Sequence, residues 1–222
     1  MNEPTRERPI LLSGAMVRAL LDGRKTQTRR AVKLPHQNPL GKWEALQVGG
    51  TKGGLNALGQ SIPLQDAIWH TRTGDALLCP YGQPGDRLWV RESFCHIYDN
   101  NKPPAKRELE DVAYMADNIQ PDPYAYGPWK PSIHMPRWAS RITLQITGVR
   151  VQHLQDISEQ DAIAEGIEKT PHGLWSLYGQ VDSDGTYSPT SSFCALWGSL
   201  NGPESWDANP WVWVIEIQRL ET

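Results

Sequence analysis

Cysteine is scarce in this sequence, and its spacing does not suit a structural cross-link. Three cysteines, Cys79, Cys95 and Cys194, occur among 222 residues, an odd number with no paired spacing. A disulfide framework is therefore not expected, and a reducing compartment fits this composition. The six histidines do not fall at metal-ligand spacing with one another or with the cysteines, so we expect neither a metal site nor a cofactor.

The chain also lacks long apolar runs and an excess of positive charge. No segment approaches the roughly 18–20 apolar residues of a membrane span, and the opening "MNEPTRERP" has no apolar core of a signal peptide. The net charge is −3, so a contact with nucleic acid has to come from a local patch. These features predict a soluble, cytoplasmic protein without a membrane partner.

Phenylalanine is scarce as well, whereas tryptophan is abundant. The chain has two phenylalanines and ten tryptophans. A tryptophan ring stacks well on a nucleobase, but in most proteins it fills a core or a lid. The composition therefore leaves both uses open for each of them.

Strand patterns outnumber helix patterns along the chain. Apolar alternation and β-branched runs predict strands at Pro9–Leu12, 27–34, 88–94, 111–117, 141–151 and in the closing "NPWVWVIEIQRL". The apolar phase of the fifth pattern slips at Thr147–Gly148, which predicts a bulge that bends the strand. The closing run is almost continuously apolar, as in a central strand.

Three short helices are predicted between these strands. One follows Ser13 as its N-cap and ends before Gly23. A second begins with the capping box of Ser158 and ends before Gly166, and a weaker third covers 191–200. Together with the strands they predict an α+β fold, a small mixed barrel with short helices at its mouth.

Two stretches show little periodicity and are interpreted as loop insertions. Residues 35–66 and 168–189 carry prolines, glycines and polar residues with too little periodic apolar content for a core of their own. We therefore predict a single domain over residues 1–222.

The motif "GRKTQTRR" at residues 23–30 concentrates charge at the exit of the first helix. Its cations are Arg24, Lys25, Arg29 and Arg30. A threonine hydroxyl such as that of Thr28 needs an adjacent base to act as a nucleophile. Lys25 can be that base if burial and neighbouring cations lower its pKa from about 10.4 towards roughly 7–8. On spacing alone, a solvated basic turn is the simpler interpretation.

Two further groups are candidates for the same chemistry. Glu165 falls in the last turn of its helix, where the helix dipole disfavours a negative charge and gives the acid a reason to keep its proton. A solvated glutamate beside a glycine cap is the alternative. The segment "SIHMPRWASR" brings Arg137 and Trp138 together before a strand, either to face a substrate or to pack a tryptophan.

Four stretches together resemble the ASCH domain family. They are "GRKTQTRR", "PGDRLWVRESF", "RITLQITGVRVQHLQDIS" with "DAIAEG", and "NPWVWVIEIQ". The basic segment after a helix is the most specific of them. The resemblance implies a β-barrel similar to the PUA domains that bind RNA, and the chain is similar to the longer ASCH proteins of phages and prophages.

The resemblance also implies an activity and a set of site residues. Small bacterial members of the family are amidohydrolases that remove the acetyl group from N(4)-acetylcytidine with a lysine, a threonine and a glutamate. In that likeness Lys25 is the base, Thr28 the nucleophile and Glu165 the proton donor. The residues expected to hold the substrate are Arg24, Arg29, Arg30, Arg137 and Trp138. This chain is considerably longer than those enzymes, which leaves the substrate open.

Two other functions fit the same residues. A non-catalytic module would hold RNA or a nucleotide through the arginines at the barrel mouth, without turnover. Ribonuclease activity is associated with other ASCH proteins. In every case the expected partner is a small nucleoside or nucleotide, or RNA.

Overall fold

The computed structural model describes residues 5–49, 59, 64–97, 108–119, 124–177 and 185–221. The strands in this part of the chain are β1 (Glu7–Leu11), β2 (Gln27–Ala31), β3 (Trp43–Val48), β4 (Gln65–His70), β5 (Ala76–Leu78), β6 (Arg87–Arg91), β7 (Phe94–His96), β8 (Val112–Tyr114), β9 (Thr143–His153) and β10 (Trp211–Arg219). The helices are α1 (Gly14–Leu21), α2 (Glu159–Ala164) and α3 (Pro189–Asn201). This content confirms the α+β class.

The largest sheet has five strands in the order β1-β6-β9-β10-β2. β1 and β6 are parallel, and the other neighbours are antiparallel. β10 is an interior strand whose apolar residues from Val212 to Ile215 are buried, so the prediction of a central strand is confirmed. The predicted bulge is confirmed too, because Glu216 faces Gly148 while Ile217 faces Ile146, with a shift in register between them.

The two edge strands of this sheet, β1 and β2, approach each other without pairing. Arg30 in β2 donates a hydrogen bond from Nη2 to the carbonyl oxygen of Leu11 at the end of β1, at 2.6 Å. Among the described strands no sheet closes into a barrel. The expected closed barrel is therefore not seen, and the β1–β2 seam is held by a side chain where a barrel would have backbone hydrogen bonds.

The stretch 35–66, predicted to be a loop, contains a strand. β3 lies inside it, and β3, β4 and β5 form a three-stranded sheet. The loop prediction is wrong for β3. None of its residues is buried, and prolines and glycines flank it, so its alternation is obscured. Asp66 joins this sheet to β9, since its Oδ2 accepts a hydrogen bond from the Val151 amide at 3.2 Å. Residues 50–58 and 60–63 lie outside the described residues.

The stretch 168–189 is described at 168–177 and 185–189. In these parts Trp175 forms isolated bridges with Lys169 and Thr186 and packs against the main core. Residues 178–184 lie outside the described part of the chain. The described parts contain no named strand or helix before α3 begins at Pro189, and the loop insertion and the single domain over the chain stay predictions.

The ends of the first two helices follow the predicted capping. The Ser13 hydroxyl accepts a hydrogen bond from the amide of Met16, and that of Ser158 accepts one from the amide of Asp161. Gly23 follows α1 with a φ of +75°, a left-handed conformation that glycine adopts without strain. In the described part of the protein no helix has both the length and the apolar character to cross a membrane.

Candidate active site

Lys25 and Glu165 meet where two helices end. Lys25 follows α1, Glu165 caps α2, and an antiparallel β-bridge pairs the two residues. Lys25 Nζ donates hydrogen bonds to Glu165 Oε2 at 2.7 Å and to the Glu165 carbonyl oxygen at 3.0 Å. Both side chains are at most 2 % exposed. The fold thus buries a basic and an acidic group in direct contact.

The surroundings of Lys25 lower the pKa of its side chain. Burial lowers the pKa of Lys25 because the ammonium group loses its hydration. The charges of Arg30 and Arg29 lower it further, whereas Glu165 opposes them. Burial and neighbouring cations are the two causes expected from the sequence, and both are present.

The Glu165 carboxylate has a second cationic partner. Arg29 Nη1 donates to Glu165 Oε1 at 3.1 Å, and Arg29 Nη2 donates to Asp161 Oδ2 at 2.9 Å. Asp161 also accepts a hydrogen bond from Arg150 at 2.7 Å. Arg29 and Arg150 come from strands that are distant in the sequence, so the position of Glu165 at a helix end does not predict these contacts.

A cavity of about 440 Å³ opens beside this pair, at the seam between β1 and β2. Its polar lining includes Thr28, Arg29, Arg30 and Glu165, and its apolar lining includes Leu12, Met16, Phe193, Leu196 and Trp197. The volume is in the range of pockets for small ligands. Lys25 is not among the residues that line it, since its side chain is fully buried against Glu165. Two of the three predicted catalytic residues therefore line one cavity, and the third contacts one of them.

Thr28 reaches this cavity from the middle of β2, an edge strand of the sheet. The amide of Ile217 in β10 donates to the carbonyl oxygen of Thr26, which sets the phase of pairing along β2. In an antiparallel ladder alternate residues pair with the same neighbour, so the backbone of Thr28 pairs with β10 and that of Arg29 faces the open edge. The nucleophile candidate is thus held on a paired backbone beside an unpaired edge.

The arginines of the basic run make hydrogen bonds to other groups of the protein. Arg24 Nη1 donates to the carbonyl oxygen of Gly166 at 2.8 Å, outside the cavity. Arg30 binds the Leu11 carbonyl, and Arg29 binds two carboxylates. The run therefore fastens helix ends and strand edges together, and it does not form the solvated basic turn that spacing alone favoured.

The other two residues expected to bind substrate lie elsewhere. Arg137 pairs with Glu7 at 2.8 Å and lies over the ring of Trp89. Trp138 is 42 % exposed and stacks with His96, with ring centroids 6.1 Å apart. Neither lines the cavity, because the turn that carries them packs beside β1 and β7 and not at the β1–β2 seam.

Sequence reasoning missed the wall that α3 contributes. Phe193 and Trp197 are one helical turn apart, line the cavity and are at most 4 % exposed. The signal for this helix was weak, although Ser188 as N-cap and Pro189 in the first turn mark its start. Its four-residue spacing shows that two aromatic rings share a face, but not that the face meets Thr28.

Comparison with known proteins adds no assignment for this site. No protein-family model, curated protein or solved structure matches the chain. In the described ranges no cluster of three or more histidine, cysteine, aspartate or glutamate residues is arranged to hold a metal ion. The function has to be inferred from the geometry of the cavity and from the resemblance of the motifs.

Proposed function

We propose that this cavity is the active site of an amidohydrolase that removes the acyl group from an acetylated cytidine-type nucleoside or nucleotide. The observation that carries the proposal is the buried pair of Lys25 and Glu165, 2.7 Å apart, next to a cavity lined by Thr28. Lys25 is the base, Thr28 the nucleophile and Glu165 the proton donor. A PUA-like fold of the ASCH type belongs to the same proposal.

One proton shared within the pair puts both groups into the forms that the reaction needs. Transfer of a proton from Lys25 Nζ to Glu165 Oε2 along their hydrogen bond converts an ion pair into an amine and a carboxylic acid. Burial lowers the pKa of Lys25, which favours the release of its proton in this transfer. A base and an acid then lie side by side without a change in the total charge of the site.

In the first half of the reaction, Lys25 accepts one proton and Glu165 donates one. The Thr28 hydroxyl oxygen attacks the acyl carbon as its proton passes to Lys25. The bond between that carbon and the exocyclic nitrogen of the base then breaks, and Glu165 protonates the leaving amine. The products are an acyl-threonine, free cytidine, an ammonium and a carboxylate, so the pair has returned to its charged form.

The second half repeats the same proton movements with water. After the proton returns from Lys25 to Glu165, a water molecule attacks the acyl-threonine and gives its proton to Lys25. The bond to the Thr28 oxygen breaks, and Glu165 protonates that oxygen. The free acid is released, and every group has its starting composition.

The contacts of the arginines favour this function over a module that only binds RNA or nucleotides. Such a module needs cations that are free to meet phosphates. Arg24, Arg29 and Arg30 instead make hydrogen bonds within the protein. The apolar wall of the cavity suits a flat ring better than a polyanion.

The test is hydrolysis of N(4)-acetylcytidine and a panel of acylated nucleosides, with RNA in parallel, followed by mass spectrometry of the products. Thr28→Val keeps the shape of the side chain and removes its hydroxyl. We expect turnover to fall by at least about 10³-fold while ligand binding survives, because the other lining residues are unchanged.

A matched control lies two residues away in the same motif. Thr26 is exposed, so Thr26→Val is expected to leave turnover unchanged. Hydrolysis by Thr28→Val at the rate of the parent protein contradicts the nucleophile assignment. No hydrolysis by the parent protein across the panel contradicts the proposed activity and favours a binding function.

A further inference from the structure

Arg30 lines the cavity with a charge that no carboxylate of the described residues balances. Arg29 pairs with Glu165 and Asp161, whereas the hydrogen bond of Arg30 goes to the carbonyl oxygen of Leu11, which carries no full charge. Burial lowers the pKa of Arg30, because its guanidinium loses hydration. Charges that are withdrawn from water are usually paired in proteins. The charge of Arg30 therefore lacks a partner that a bound anion would supply.

Two donors of Arg30 are open to a ligand. Its Nη2 is used by the Leu11 carbonyl oxygen, while Nε and Nη1 make no hydrogen bond with the described residues. Fully enclosed side-chain nitrogens without a partner occur in this part of the chain, and Arg29 Nε is one of them, but no nitrogen of Arg30 is. Arg30 is also only half-buried. A ligand can therefore reach the free donors of Arg30, in contrast to the free donor of Arg29.

The contact with Leu11 relates these donors to the cavity. Arg30 lines the cavity from β2 and Leu11 lines it from β1, so the hydrogen bond between them crosses the seam at which the cavity opens. A neighbouring cavity of about 480 Å³, bounded by Tyr81 and Trp213, is not lined by Arg30. The open side of the guanidinium thus belongs to the cavity that Thr28 lines.

The geometry of β2 separates this charge from the proposed nucleophile. Thr28 and Arg30 are two residues apart on a strand, so their side chains leave the same face from Cα atoms roughly 6–7 Å apart. The side chain of Arg30 then extends away to the opposite strand, where it meets Leu11. In the proposed function the acyl group lies at Thr28, so an anion at Arg30 belongs to the other end of the substrate. In a cytidine-type substrate that end carries the 5′-phosphate.

We propose that Arg30 forms a subsite for the phosphate of the substrate, so that the substrate class is a pyrimidine nucleoside monophosphate and not the free nucleoside. This assignment rests on the proposed function. A guanidinium donates short, charge-assisted hydrogen bonds to phosphate oxygens. One free cation suits one phosphate, whereas an RNA strand needs several, and Arg24 and Arg29 are already paired with carboxylates.

The test compares the binding of cytidine, cytidine 5′-monophosphate and inorganic phosphate by calorimetry at low ionic strength. The parent protein is expected to bind the monophosphate about 10–100-fold more tightly than cytidine, the range for a hydrogen bond to a charged group. Added salt should reduce this preference. Inorganic phosphate should bind more weakly than the monophosphate, because it has no ring to pack against the apolar wall.

Arg30→Gln keeps a polar side chain with N–H donors and removes the charge, so it is expected to bind cytidine and its monophosphate with nearly equal affinity. The matched control is Lys33→Gln, which removes an exposed cation from the same segment. Lys33 does not line the cavity, so this variant should keep the preference of the parent protein.

Three outcomes overturn the subsite: equal binding of cytidine and its monophosphate by the parent protein, no binding of either, or the full preference retained in Arg30→Gln. Tighter binding of inorganic phosphate or of a cytidine-containing oligonucleotide than of the monophosphate overturns the substrate class. If Arg30→Gln does not fold, the comparison of the ligands on the parent protein still decides.

Binding of unacylated ligands needs no turnover. A failure to hydrolyse the acylated substrates therefore counts against the proposed activity and is separate from the outcome for this subsite.

Discussion

Two glutamates are buried to a similar extent in this protein, yet their surroundings differ. Glu165 contacts Lys25 and Arg29 beside the cavity. Glu92 lies in a second cluster. There Arg141 donates hydrogen bonds from Nε to Glu92 Oε1 and from Nη2 to Glu92 Oε2, both at 3.0 Å. Glu92 is 1 % exposed and Glu165 is 2 % exposed, so burial alone does not distinguish a structural cluster from the proposed active site.

The difference lies in how completely the cations are used. Arg141 also binds both oxygens of Asp117 and lies 3.9 Å from the centre of the Tyr114 ring. Arginine keeps its proton at any ordinary pH, so this cluster is suited to hold the β7–β8 hairpin in place. At the cavity, Lys25 can release a proton, and Arg29 keeps an unused donor.

The largest effect is expected when the lysine of one cluster and the arginine of the other are each replaced by the other kind of cation. Lys25→Arg keeps the charge but removes the base, and turnover is expected to fall by about 10²–10⁴-fold. Arg141→Lys loses the two-pronged contact and is expected to lower the melting temperature while leaving kcat unchanged. Lys33→Arg, an exposed site just beyond β2, is the control for turnover. Undiminished turnover in Lys25→Arg would contradict the proposed role of Lys25 as a base, and with it the proposed difference between the two clusters.

The next effect concerns stability and belongs to the second cluster. Arg141→Ala leaves the buried Glu92 without its partner, which is expected to lower the free energy of unfolding by about 3–5 kcal/mol in urea titrations. Adding Glu92→Gln should restore part of that loss, because the orphaned charge is removed. Arg137→Ala breaks a more exposed pair and is expected to cost less than about 1 kcal/mol. Equal losses for Arg141→Ala and Arg137→Ala would contradict the structural role.

The local structure around the Lys25–Glu165 cluster could be predicted from the sequence. The caps of α1 and α2, the bulge in β9 and the central position of β10 follow from short-range patterns, and these patterns place Lys25 and Glu165 at helix ends. The choice of Thr28 and Glu165 as partners of Lys25 came mainly from the family resemblance. Neither the local patterns nor the family resemblance required knowledge of contacts between distant segments.

The parts that could not be predicted depend on such contacts. The packing of separate elements decides which wall of the cavity α3 supplies. It also decides that Arg137 pairs with Glu7 away from the cavity. Spacing along the chain does not contain that information. β3 was missed for another reason, because an exposed strand carries little apolar alternation.

A smaller effect is expected in how the stability contributed by each cluster depends on pH. Burial raises the pKa of Glu92 above 4.5 although Arg141 opposes it, so its contribution to stability is present below that value and is lost as the pH rises through the folded-state pKa. Burial lowers the pKa of Lys25 below 10.5, so its contribution is present above 10.5 and is lost as the pH falls through the folded-state pKa.

Unfolding free energies of the parent protein, measured against Glu92→Gln at acid pH and Lys25→Met at alkaline pH, test these signs. As the pH rises, the free energy of unfolding of the parent should decrease relative to that of Glu92→Gln. It should increase relative to that of Lys25→Met. Each slope is at most about 1.4 kcal/mol per pH unit, the value for one proton. Slopes of the same sign would contradict the assignment of burial as the leading cause in both clusters.

The smallest effect compares the two helices that carry cavity residues. Ser158 caps α2 and Ser188 caps α3, with hydroxyls that accept backbone hydrogen bonds at 3.1 and 3.0 Å. Ser158→Ala and Ser188→Ala should each lower the free energy of unfolding by about 1 kcal/mol. Their kinetic effects should differ, because α2 leads into Glu165 and α3 carries Trp197. In the proposed mechanism, a looser α2 displaces Glu165, the proposed proton donor, and is expected to lower kcat. A looser α3 displaces the apolar wall proposed to hold the substrate ring and is expected to raise KM. Steady-state kinetics of the two variants on N(4)-acetylcytidine measure this split, and a change in the same parameter for both would show that the cavity responds as one unit.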